Sequence, residues 1–278
     1  MPWGWKIGPA LCLGGANRFV AREMETAPVV QIVKNGARMN SYEAYAITLD
    51  ALRNLCRHYG LIEFMPPTSV PGFAHYPHMH ATLMLGEEQT ILPYQLSLHN
   101  RLATHHLDRP SFCVGPCFRN DERSPLHSRS FTQFTFELFS TELDELAEFS
   151  LSLFQAVLRT RSIELDVVTI DMLHKSGMSD AMIKAQATEM NQASLVKHKR
   201  KGVPPLLNAT VDEQHEQAIE LILPRVGETL DGGVRDPAVL QSIYGLTPER
   251  ETAGATFGLD RLVAYVSGAS DLRSLRLP

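Results

Sequence analysis

The plainest pattern along the chain is a pair of apolar stretches set around a charged connection. Phe112 to Phe118 is a continuous apolar run, and from Phe131 to Phe139 polar and apolar residues alternate, the period of a strand with two different faces. Between them lie Arg119, Asp121, Glu122, Arg123, His127 and Arg129, ionisable groups where a simple turn would use Gly, Asn or Pro. A hairpin of two strands joined by a ligand-binding loop is predicted.

The remaining segments punctuate clearly in most places. Ser41 to Tyr59 carries apolar residues at helical spacing, with Ser41 as the N-cap and Gly60 at the stop. The stretch after Gly60 reads as a short strand ended by Pro66-Pro67, and from Gln89 a strand runs into a helix. Glu142 to Ile163 is a second amphipathic helix. The region from Asp166 to Pro205 shows no clear period, and its basic run Lys197 to Lys201 reads as a solvated loop. Glu220 to Leu223 reads as a strand before a Gly-rich charged segment, and "GATFG" leads into a helix from Leu259. This order is α+β with antiparallel pairing, not a repeated βαβ pattern.

Composition narrows the classes. A chain of 278 residues, 44% hydrophobic and 21% charged, suits a globular protein with one large core. A net charge of -5 and a pI near 6.1 argue against a broad phosphate-neutralising surface, so a nucleic-acid partner would need a local patch. Cys12, Cys56, Cys113 and Cys117 match neither zinc-ligand spacing nor a disulfide framework, and buried thiols in a reducing, cytoplasmic setting are expected. The N-terminus lacks a basic start followed by an uninterrupted apolar core, and no stretch approaches the roughly 20 apolar residues of a membrane helix. The His-rich run His75 to His80 lies among Pro and Gly without matching metal partners, and reads as a lid loop over a substrate site, with a plain solvated loop as the alternative.

The candidate chemistry is that of a bound triphosphate. Arg119 ends a strand, where a guanidinium can grip a phosphate through two parallel hydrogen bonds. Arg261 starts the last helix behind small residues ending at Gly258, which let a ligand approach the backbone. Two arginines on separate rigid elements suit the two ends of a polyphosphate. Glu220 and Glu228, on either side of Pro224, suit Mg²⁺, which takes one or two carboxylates and leaves its other positions to water and phosphate. Phe131 offers an aromatic face to a base, and neither a P-loop nor a Rossmann glycine fingerprint is present.

The order "FRND…H…FTQFTFE", "GETLDGGVR" and "GATFGLDRL" resembles the catalytic core of class II aminoacyl-tRNA synthetases, in the aspartyl, asparaginyl and lysyl subgroup. It is especially similar in layout to their free-standing archaeal asparagine synthetase-related proteins. The resemblance implies an antiparallel sheet flanked by helices, with residues 41–278 as the catalytic domain, 1–40 as an N-terminal extension and no anticodon-binding domain. It implies that Arg119 binds the α-phosphate of ATP, that Asp121 or Glu122 reads the adenine amino group, and that His127 approaches the terminal phosphates. Phe131 matches the adenine-stacking aromatic, Arg261 the arginine that holds the bent triphosphate, and Glu220 and Glu228 the Mg²⁺ ligands. Arg235 matches the arginine that meets the substrate side chain, with Ser97 and Gln133 beside it in the substrate site. A homodimer built around Tyr59 to Pro67, the stretch in the place of the family's first motif, is implied as well.

Two departures bear on the substrate. Ser97 stands where the aspartyl and asparaginyl enzymes carry a substrate-recognising Gln, and Ser130 stands where an acid commonly precedes the stacking Phe. The resulting expectation is an ATP-dependent adenylating ligase for a small, aspartate-like acid, followed by capture with ammonia or a small amine. Transfer of the acyl group to tRNA or a protein is the nearest alternative, and a non-catalytic sensor built on the same core is the other.

Overall fold

The computed structural model describes residues 40–68, 81–85, 87–120, 124–171, 192–201, 210–212 and 215–275. The expectations for residues 1–39, for the His75 to His80 loop and for Asp121 and Glu122 lie outside the described residues.

Helix α1 (Ser41–His58) packs one apolar stripe inward through Ala44, Leu52, Leu55 and Cys56. Its cap is Asn40 and not Ser41, because the Asn40 side-chain oxygen accepts from the Glu43 amide at 2.8 Å while Ser41 already has helical backbone. Gly60 follows the helix at φ +77°, a left-handed turn that glycine adopts without steric cost. The chain then enters β1 (Ile62–Phe64), the small hairpin β2 (Thr82–Leu85) and β3 (Glu88–Ile91), and α2 (Ser97–Leu107). The predicted hairpin is present as β4 (Ser111–Phe118) and β5 (Ser130–Leu138), followed by α3 (Leu143–Arg159). Strands β6 (Val167–Asp171), β7 (Ala193–Lys201), β8 (Thr210–Asp212), β9 (His215–Leu223) and β10 (Gly227–Val234) come next. Helix α4 (Pro237–Tyr244), strand β11 (Ala253–Gly258) and helix α5 (Leu259–Ser267) close the described chain, before a final 3₁₀ turn, Leu272–Leu275.

One sheet of nine strands organises the molecule, in the order β1-β4-β5-β11-β10-β9-β7-β6 with β8 against β9. Pairing is antiparallel except at β1–β4 and β6–β7. The alternation visible in β5 is a division of labour between the sheet's two faces. Phe112, Phe134, Phe136, Ala255, Phe257, Leu230 and Leu221 face a core closed by α1, α3 and α5. Burying each of those Phe side chains stabilises the fold by about 1.5–3 kcal/mol. The opposite face carries Gln133, Thr135, Glu137, Thr256 and Asp231 in register across β5, β11 and β10. Helix α2 covers one end of that polar face. Beside Leu98 its buried residues are polar: Asn100, Arg101 and Thr104 turn inward, and Thr104 Oγ1 and Ser111 Oγ lie 2.6 Å apart.

The basic run is not a loop. Lys197 to Lys201 form the second half of β7, because the apolar first half, Leu195 and Val196, is buried and carries the rest into register with β9. Lys197 is held by Asp144 at 2.9 Å and Asp171 at 3.2 Å.

Candidate active site

The polar face of the sheet opens into a cavity of about 600 Å³. Arg119, His127, Phe131, Gln133, Ser97, Glu228, Arg235, Gly258 and Arg261, all expected from the sequence, line it. Asp231 and Asp260 line it as well. Glu220 does not: it is fully buried on β9, directly opposite Asp231.

The hairpin carries the first cluster. Arg119 extends the β4–β5 ladder by one bond, its amide donating to the Arg129 carbonyl at 2.8 Å. Its Nε donates to the Tyr94 carbonyl at 3.2 Å, leaving Nη1 and Nη2 without a hydrogen bond among the described residues. The guanidinium carbon sits 5.0 Å from the centroid of Phe131, a cation–π contact on the ring expected to meet a base. The loop turns back on itself at Ser124 and His127, whose amides and carbonyls exchange bonds of 3.1 and 3.2 Å.

His127 joins this cluster to the last helix. Its Nδ1 lies 2.7 Å from Ser124 Oγ, and its Nε2 lies 3.1 Å from Nη2 of Arg261. A guanidinium only donates, so Nε2 accepts and the proton rests on Nδ1, which donates to Ser124. Arg261 also donates through Nη2 to the Leu126 carbonyl at 3.3 Å and through Nη1 to the Glu228 carbonyl. Burial lowers its pKa, the Glu228 carboxylate pushes it back up, and the Arg119 charge lowers it further. Two neighbouring guanidiniums at one end of a cavity that repel one another make a place for a polyanion. Asp260, the residue before Arg261, is buried and accepts from the Thr132 amide at 3.1 Å and from the Tyr45 hydroxyl of α1. It ties β5, α1 and the arginine-bearing helix together.

A bulge creates the acidic wall. Glu228 pairs with Ile222 and Leu230 with Leu221, so β10 spends two steps where β9 spends one. Glu228 and Asp231, three residues apart, would otherwise lie on opposite faces; the extra residue puts both on the cavity. Two carboxylates lining one cavity wall suit Mg²⁺. Asp231 was not among the expected ligands, because no local pattern announces the bulge.

At the far end Arg235 is 6% exposed and grips Glu137, which is fully buried, through Nε and Nη2 at 3.2 Å. Gly254 makes room for that carboxylate: a Cβ there would come within 1.8 Å of Glu137 Oε2. Arg101 of α2 is a third member. It is 3% exposed, burial pulls its pKa down to about 10 against the attraction of Glu137, and its Nε has no hydrogen-bond partner among the described residues. Gly258 differs from Gly254, since a Cβ there would meet nothing closer than 3.8 Å. Its small size keeps cavity space open and is not demanded by packing.

No protein-family model matches the sequence, and no curated protein is similar to it. Solved structures are similar to it in fold. The asparaginyl-tRNA synthetase of Entamoeba histolytica in complex with asparaginyl-adenylate superposes with a TM-score of 0.66 at 15% identity, over 85% of this chain and 66% of that one. The asparaginyl-tRNA synthetase of Pyrococcus horikoshii complexed with asparaginyl-adenylate gives 0.66 at 16% identity, over 85% of this chain and 67% of that one. This is the fold of a class II aminoacyl-tRNA synthetase catalytic core. The chain spans about two thirds of the length of these synthetases. Strands β4, β5 and β11 of this core are consecutive neighbours in the sheet, and Arg119, Arg235 and Arg261 lie on one cavity.

Proposed function

We propose that the protein is an ATP-dependent ligase that adenylates a small, aspartate-like carboxylic or amino acid and passes the acyl group to ammonia or a small amine, giving an amide and releasing AMP. One observation carries this reading: Arg119, His127, Arg261 and Phe131 share a cavity of about 600 Å³ with the carboxylates of Glu228 and Asp231. That set suits a nucleoside triphosphate and its metal, and two similar solved structures contain an aminoacyl-adenylate.

In this reading a carboxylate oxygen of the acid attacks the α-phosphorus, the new O–P bond forms, and the bond to the bridging oxygen breaks to release pyrophosphate. Arg119 binds the α-phosphate and offsets charge that develops there. Arg261, oriented by His127 and the Glu228 carbonyl, holds the departing pyrophosphate. Glu228 and Asp231 would hold Mg²⁺, which when bound neutralises phosphate charge. Arg235 lines the cavity while it holds Glu137, and places the second polar group of the acid. Positioning and electrostatics suffice, with no protein nucleophile. A homodimer across the β1 edge is part of the proposal; among the described residues β1 pairs with β4 alone, and Met65 just beyond it is 91% exposed.

ATP–pyrophosphate exchange against a panel of amino acids and other small carboxylates tests the reading. Mg²⁺-dependent exchange with one acid is expected; silence across the panel with ATP bound would refute it in favour of a sensor. A second reading, acyl transfer to an RNA end, draws on the fact that the similar structures are tRNA synthetases. Acyl product that appears only when RNA is added would select it.

A further inference from the structure

Two donors, the Leu96 amide and the Cys117 thiol, hold a cavity-lining amide in one orientation. Gln133 is 7% exposed, and its Oε1 accepts from the Leu96 amide at 3.0 Å and from Cys117 Sγ at 3.2 Å. A glutamine side chain can be turned over without changing its shape, so partners alone decide its polarity. Here both partners are donors. The Leu96 N–H can only donate, and burial raises the pKa of Cys117, so the thiol keeps its proton. Both lone-pair directions of Oε1 are thereby used, and Nε2 is the end left for the cavity, where it has no hydrogen bond among the described residues.

Fixed in this way, Gln133 presents two N–H donors and no acceptor to whatever occupies the cavity. An ammonium group would find no acceptor on the Gln133 amide, whereas a carboxylate oxygen would find two N–H donors. Gln133 sits two residues along β5 from Phe131 and directly opposite Gly258 of β11, and lines the same cavity as Ser97, Arg119 and Arg261. We propose that Cys117 is a positioning residue: its thiol holds the Gln133 amide with Nε2 inward, so that Gln133 donates to the carboxylate that is to be activated. The proposal rests on the adenylation reading for the identity of that group. The orienting bond itself does not.

The experiment has two arms that separate these layers. Raman spectra of the intact protein contain S–H stretching bands, and subtraction of the Cys117→Ala spectrum assigns the Cys117 band. A hydrogen-bonded thiol absorbs at lower wavenumber, so the Cys117 band is expected below that of Cys113, and Gln133→Leu should move it up. In ATP–pyrophosphate exchange, Cys117→Ala is expected to raise the KM for the acid about tenfold with the KM for ATP within about twofold, because one orienting bond is lost. Cys117→Ser, which keeps a donor, should recover most of that loss. A Cys117 band that ignores Gln133→Leu, or a Cys117→Ala enzyme with unchanged KM for the acid, would overturn the proposal. A parent protein silent with every acid would overturn the amide's role together with adenylation, and the band shift would then show whether the bond exists without it.

Discussion

Replacing Glu137 by Gln is the sharpest test of how the closed end of the cavity is built. The substitution keeps the side chain's shape and removes its charge, at a residue that is fully buried. Arg235 would lose a charged partner held by contacts at 3.2 Å, and Arg101, drawn by the same carboxylate, would lose its main attraction. Breaking a buried ion pair from one side costs about 3–5 kcal/mol, because the remaining charge is left without compensation in a poorly solvated place. For a domain of this size that corresponds to a fall in Tm of about 10 °C. Scanning calorimetry and urea titration would measure it. The double variant Glu137→Leu/Arg235→Leu should be far less damaged than the sum of the single changes, since an apolar pair of similar volume carries no such penalty. A loss below about 1 kcal/mol for Glu137→Gln would refute the reasoning, since water would then be reaching the pair.

Three further outcomes follow from the same geometry. Arg119→Ala should reduce exchange by about 10²–10³-fold with an unchanged melting curve, as for loss of one donor to developing charge; an unaltered rate would remove the β4–β5 hairpin from the chemistry. Gly254→Ala should destabilise by about 1–3 kcal/mol or more, since its Cβ would land 1.8 Å from Glu137 Oε2, whereas Gly258→Ala should fold normally and weaken ATP binding by filling the cavity; equal melting temperatures for the two variants would contradict the packing described. Cys113 and Cys117, whose pKa values burial raises, hold less thiolate when folded than when unfolded. Iodoacetamide at pH 8 should therefore spare both until the protein is denatured, and rapid labelling of the native protein, read by mass spectrometry, would show the strand face to be open.

Much of this protein is legible in one dimension. Period-two alternation in Phe131 to Phe139 and helical spacing in α1 and α3 are local properties, and so the hairpin, the helices and the α+β order could be read from residue types alone. The arginines of the cavity were legible too, because Arg119 and Arg261 stand at element ends whose boundaries local signals mark. What the sequence alone left open depends on neighbours distant along the chain. Lys197 to Lys201 look like loop until β9 supplies their hydrogen bonds. The alternating polar position Glu137 reads as facing solvent or ligand, and only α2 and Arg235 folding over it make it a buried ion pair. That Asp231 faces the cavity beside Glu228 turns on one extra residue in β10, and the direction of the Gln133 amide turns on donors from the facing strand and from the residue before α2. Strand register and hydrogen-bond polarity are set by the partner strand, and a residue's own type cannot announce them.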